Sequence, residues 1–215
     1  MKKSMRGAMP AALTLPLSLE RRPRARQHLL RRVVIGGLIA LGLALLVAGF
    51  WLPAKAELAQ HLLNRAWADT AASGGGVRPW PWADTWPMAR LTLPGATTPL
   101  TVLAGASGRA LAFAPALMDG SAVPGTNGVS VIAGHRDTHF RALAKVAIGD
   151  QFTLERPDGS AFVYEVTALD VVDSERTELR LDADESIVVL VTCWPFDAVT
   201  VGGSWRYIVT ARLRR

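Results

Sequence analysis

The sequence predicts an all-β domain, a closed or nearly closed barrel with short helices, carried on one N-terminal membrane-spanning helix. Three observations lead there. Val33 to Leu52 is a stretch of twenty residues without a charge. Beyond residue 86, short apolar runs alternate with Gly- and Pro-rich turns, and helical stretches are few and brief. The formal charge of +6 is also unevenly spread: residues 1–85 hold 12 Lys+Arg against 4 Asp+Glu, and residues 86–215 hold 12 against 14. The folded part is therefore slightly acidic. A nucleic-acid-binding domain would carry its basic patch there, so that class is set aside.

Residues 1–32 read as a basic cytoplasmic tail with a dense run at Arg21, Arg22, Arg24, Arg26, Arg31 and Arg32. The uncharged segment 33–52 follows at once. At about 1.5 Å per residue, a helix of that length spans about 30 Å, the hydrocarbon thickness of a bilayer. Positive charge stays inside, so residue 53 onward is expected outside the cytoplasmic (inner) membrane. A cleaved signal peptide is the competing reading, because Ala54-Lys55-Ala56 has a small-x-small form. The apolar run exceeds the roughly 7–15 residues of a signal core, which favours an uncleaved anchor.

Residues 53–85 are expected to be a stalk helix and a linker. Pro53 suits a first helical turn, and Ala54 to Asp69 carries Leu58, Leu62 and Leu63 at helical spacing. Ser73-Gly74-Gly75-Gly76 is a flexible joint. Pro79 to Pro87 sets Trp80, Trp82 and Trp86 between prolines, which forces an extended strap. It either packs on the domain surface or covers a cleft, and Trp suits both.

The barrel is expected over 86–215. Strands are predicted at Ala89–Leu93, Leu100–Leu103, Ala110–Phe113, Val129–Ala133, Ile187–Thr192 and Tyr207–Leu213, with a helical turn or two over Phe140–Val146. Gln151–Glu155 and Phe162–Val166 form a hairpin around Pro157-Asp158-Gly159-Ser160.

Chemistry is concentrated at three strand ends. Cys193 is the chain's one cysteine and follows the apolar run Ile187 to Val191. In an exported chain it has no internal disulfide partner, so it is either paired to another chain, buried and inert, or a working thiol. His135 ends the run Val129 to Gly134, and Arg206 opens the last strand. A thiol needs a neighbouring cation or base to become a thiolate. His135 suits proton transfer, and the fixed fork of Arg206 suits an oxyanion. His139, four residues after His135, raises a metal pair. The segment leaves a strand rather than lying on a helix, so no metal and no cofactor is expected. The acidic run Asp170 to Glu185 lacks EF-hand spacing and reads as a solvated loop.

Gly134-His135-Arg136-Asp137, Leu190-Val191-Thr192-Cys193 and Arg206-Tyr207-Ile208-Val209 resemble the His, Thr-Leu-x-Thr-Cys and Arg signatures of the sortases. Val189 stands where that block usually begins with Thr. The resemblance covers about residues 86–215. With the Trp/Pro strap and the anchor, it is most similar to the sortase class described from Gram-negative bacteria. It implies an eight-stranded barrel and a cysteine transpeptidase with His135, Cys193 and Arg206 catalytic and Thr192 positioning substrate. The implied partners are an exported protein with a C-terminal sorting signal similar to Leu-Pro-x-Thr-Gly and an unidentified amine acceptor. An L,D-transpeptidase-like enzyme is the nearest rival, but its Ser-x-Gly-Cys signature is not matched by Leu190 to Cys193. A non-catalytic, membrane-tethered peptide-binding barrel is the other alternative.

Overall fold

The computed structural model describes residues 24–198 and 202–214, without the side chains of residues 24–26 and Leu52. Of the basic tail expected over 1–32, residues 1–23 and the side chains of Arg24 and Arg26 therefore lie outside the described residues, while Arg31 and Arg32 are helical. The chain divides into two compact units, Met1–Trp51 and Leu52–Arg215.

One helix, α1 (Arg24–Ser73), crosses that division with Pro53 inside it. Among the described residues it is the one helix long and apolar enough to cross a membrane. Its apolar residues from Leu29 to Trp51 are largely exposed, as a lipid-facing surface requires.

In the second unit eight strands close a barrel. They are β1 (Pro87–Thr92), β2 (Leu100–Ala104), β3 (Ala116–Leu117), β4 (Gly128–Ala133), β5 (Gln151–Glu155), β6 (Ala161–Asp173), β7 (Ser186–Cys193) and β8 (Trp205–Leu213). Their order around the barrel is β1-β2-β3-β4-β7-β8-β6-β5. Alternating residues of β1 point inward, and Ala89 and Leu91 have no exposed surface. β4 is buried almost throughout and lies parallel to β7, from Gly128↔Ser186 to Ala133↔Val191. Such a pair, covered on both faces, accounts for its near-continuous apolar runs. Leu91, Leu154, Tyr164, Val188, Leu190 and Val209 fill the core.

The region Ala110–Phe113 corrects the sequence reading. It begins in a short helix, α2 (Gly108–Leu111), whose first turn is capped by Ser107 accepting from the Ala110 N–H at 3.2 Å. The third strand comes only after Pro115 and is two residues long. Ala110 and Ala114, four apart, both turn toward Leu103 and Leu63. An alternating pattern would have sent them to the same face as well, so the apolar positions alone did not separate helix from strand.

The stretch set apart as a stalk packs with the barrel. Ala59, Leu63, Ala66 and Trp67 of α1 are buried, and Leu63 is completely enclosed. Gln60 donates from Nε2 to the Phe113 carbonyl at 3.0 Å, and Arg90 of β1 lies over the Trp67 ring at 4.8 Å. The strap contributes Trp80, edge-on to Phe113 with ring centroids 4.9 Å apart, in the same apolar cluster as Leu63. Thr85 donates to the Ala104 carbonyl at 2.6 Å, tying the strap to the end of β2.

Candidate active site

β4 and β7 run parallel, so their C-terminal ends lie side by side. Ala133 pairs with Val191, and the Gly134 N–H extends the ladder to the Val191 carbonyl at 3.0 Å. The next residues out are His135 on one strand end and Cys193 on the other. β8 is antiparallel to β7 and brings its first residues to the same end, with Cys193 directly opposite Arg206 and Thr192 opposite Tyr207. His135, Thr192, Cys193 and Arg206, separated by up to 71 positions in sequence, thus meet at one end of the barrel.

Each is held by local structure. A Cβ on residue 134 would come within 2.8 Å of the Phe140 ring, so glycine is what lets the chain turn into His135 over that buried ring. Thr192 is buried and donates from Oγ1 to the Gly134 carbonyl at 2.7 Å. This bond ties the residue before Cys193 to the residue before His135. Cys193 is partly exposed and unpaired by any disulfide. Arg206 donates twice from Nη1, to the Gly203 carbonyl at 2.8 Å and the Trp205 carbonyl at 2.9 Å. Its Nε and Nη2 carry three further N–H groups.

Two features had no role in the sequence reading. Arg136 follows His135, yet only 6 % of it is exposed. It donates from Nη1 to the Pro195 carbonyl and from Nη2 to the Ala198 carbonyl, each at 2.8 Å, and its Nε meets Asp137 at 3.3 Å. A guanidinium between backbone carbonyls joins the segment after His135 to the segment after Cys193. The signal was present in the sequence as an arginine beside a strand-end histidine, but its acceptors are carbonyls some sixty residues away and leave no side-chain signature. The second feature is aromatic. Trp194 stacks on Tyr207 with centroids 5.6 Å apart, and Phe196 packs edge-on against both. Burial pushes the Tyr207 phenol above its ordinary pKa.

His135 also lines a cavity of about 340 Å³, walled by α1 and by the segment after α2. His139 shares it. Its pKa is lowered, first by burial and next by the neighbouring His135, against an opposing hydrogen bond with the Phe113 backbone.

The chain has counterparts among known proteins. Residues 91–214 match the Sortase domain family. The chain belongs to the sortase family. It is 37 % identical over 87 residues to Sortase D of Bacillus subtilis (strain 168), a match covering 40 % of this chain and 43 % of that protein. The chain thus spans less than half the length of that curated relative. Among solved structures it is similar to Sortase A from Corynebacterium diphtheriae, with 30 % identity and a TM-score of 0.55 over 62 % of this chain and 63 % of that one. It is also similar to the Clostridium perfringens Sortase D5 transpeptidase, with 28 % identity and a TM-score of 0.52 over 60 % and 79 %.

Proposed function

We propose that the chain is a membrane-anchored cysteine transpeptidase that cuts a C-terminal sorting motif of Leu-Pro-x-Thr-Gly type in an exported protein. Membership of the sortase family supports the reaction class. The observation that carries the residue assignment is the register of β7 and β8, which sets Cys193 opposite Arg206 while the parallel β4 delivers His135 beside them.

Cys193 attacks the scissile backbone carbonyl as a thiolate paired with protonated His135. The remaining N–H groups of Arg206 stabilise the oxyanion, a role that suits a fixed, permanently charged fork. His135 gives its proton to the leaving amine, and the acyl group stays on Cys193 as a thioester. An incoming amine resolves the thioester and returns a proton to His135. Thr192 positions the site through its bond to Gly134. The anchor at 33–52 places the N-terminus in the cytoplasm and the barrel outside the inner membrane, supported by the basic flank. The Trp- and Pro-rich strap supports placement in the class described from Gram-negative bacteria.

The test is to incubate the detergent-solubilised full chain with a Leu-Pro-x-Thr-Gly peptide and look for an acyl adduct on Cys193 by mass spectrometry. Cys193→Ala should form no adduct and transfer nothing while unfolding at the wild-type temperature. Transfer surviving in that variant would remove Cys193 from the mechanism.

A further inference from the structure

The proposed transpeptidation needs room for two substrates, and the cavity on the α1 side of His135 provides a second place. His135 belongs both to its wall and to the strand ends that carry Cys193 and Arg206. Its volume of about 340 Å³ falls at the lower end of the roughly 300–1,000 Å³ found for small-molecule sites. That suits a side chain or a short peptide terminus rather than a folded partner.

The wall has a definite chemistry. Ala56 and Ala59 of α1 with Ala112 and Phe113 are its apolar part, and Asp137 is its one carboxylate among the described residues. No Lys or Arg lines it among the described residues. Burial keeps His139 short of its ordinary basicity, so at neutral pH it adds no positive charge. Asp137 receives Arg136 on Oδ1 at 3.3 Å, but its side chain remains 65 % exposed. A carboxylate has lone pairs for more than one donor. The opposite wall is set in place by the Gln60 bond to the Phe113 carbonyl.

We infer that this cavity is the entry site for the acceptor, a primary amine that arrives as an ammonium ion held by Asp137 and is then presented to His135. The inference rests on the transpeptidase reading above. The ammonium gives one proton to water. The neutral nitrogen forms the C–N bond with the thioester carbon, a second proton passes to His135, and the C–S bond breaks with its electron pair on the Cys193 sulfur. The products are an amide, a thiolate and an imidazolium, which is the pair that opens the next cycle. The membrane-proximal helix thereby supplies part of the acceptor site, beyond anchoring the domain.

The experiment compares two nucleophiles on the full-length chain in detergent, with the acyl-enzyme monitored separately. Triglycine presents a terminal ammonium group at neutral pH, and hydroxylamine is small and neutral. Ala56→Phe, which fills the cavity from α1, should raise KM for triglycine by about ten-fold or more and alter hydroxylamine transfer by less than about two-fold. Asp137→Asn, which keeps the size and removes the charge, should raise the triglycine KM with kcat nearly unchanged. An unchanged triglycine KM in both variants would overturn the inference. Equal loss with both nucleophiles would overturn it too, as would slower acyl-enzyme formation in Ala56→Phe, which would make the cavity a site for the leaving fragment. Failure of the wild-type chain to form any acyl-enzyme would instead refute the transpeptidase reading itself.

Discussion

The two ends of β7 are built from the same strands but finished differently. At its start, Ser186 meets the Tyr164 hydroxyl at 2.9 Å, and that hydroxyl accepts the Gly125 N–H at 2.8 Å. Tyr164 is fully buried, and the polar groups there satisfy one another within the protein. At its finish, Cys193 is partly exposed, opposite an arginine with donors to spare. One end uses its hydrogen bonds to close the barrel. The other uses Thr192 and Arg136 to brace the backbone and leaves Cys193 and Arg206 partly exposed. Sheet register supplies the positions at both ends, but only the second gathers a candidate site.

The sharpest way to test this contrast is to alter the presented end without touching the brace. Arg206→Lys keeps the charge and loses the fork, and removal of one oxyanion donor costs about 100-fold or more in rate. We expect that loss in kcat for acyl transfer, with the melting temperature unchanged. A rate near wild type would place Arg206 outside the reaction.

Next comes the brace itself. Arg136→Met removes the bonds of a buried guanidinium to the Pro195 and Ala198 carbonyls. A hydrogen bond from a charged donor contributes about 1.5–3 kcal/mol, a loss that thermal or denaturant unfolding would register. Because the loosened segment follows Cys193, acyl-enzyme formation should slow as well. Tyr164→Phe is the matched change at the closed end. It should cost about 1 kcal/mol of stability and leave the transfer rate alone. If Tyr164→Phe reduced the rate as much as Arg136→Met, the functional difference between the two ends would vanish.

The smallest expected effect is on pH dependence. His139 has its pKa lowered in the folded protein. Below about 6.5 the unfolded chain therefore takes up a proton that the folded chain resists, and stability falls as pH drops through that value. His139→Gln should flatten this decline between about pH 6.5 and 5, above the range where carboxylates titrate. Denaturant titrations across that window measure it, and an unaltered slope would show that His139 is not its source.

How much was legible in advance follows from the kind of contact involved. β4, β7 and the β5–β6 hairpin announced themselves through apolar runs and turn residues, because a strand buried on both faces has few polar choices. Cys193, His135 and Arg206 stood out because each closes or opens such a run. α2 was misread because Ala110 to Phe113 is a short apolar run stopped by Pro115, the outline of a strand, although alanine and leucine favour helix, and the deciding Ser107 cap is a single hydroxyl. The segment 54–69 was recognised as helical, but not as a wall of the domain, since Leu58, Leu62 and Leu63 show amphipathicity without naming the face they cover. Leu58 is in fact exposed, while Leu63 is enclosed.

Composition and pattern thus determined a helix long and apolar enough to span a membrane, an all-β domain and the candidate site residues, because apolar period and charge are local properties of the chain. Tertiary structure decided which strands are neighbours, that Arg136 reaches two carbonyls some sixty residues away, and that α1 beyond Pro53 walls a cavity beside His135. Those outcomes depend on barrel closure and on hydrogen bonds to backbone, which every residue offers and which no sequence pattern therefore marks.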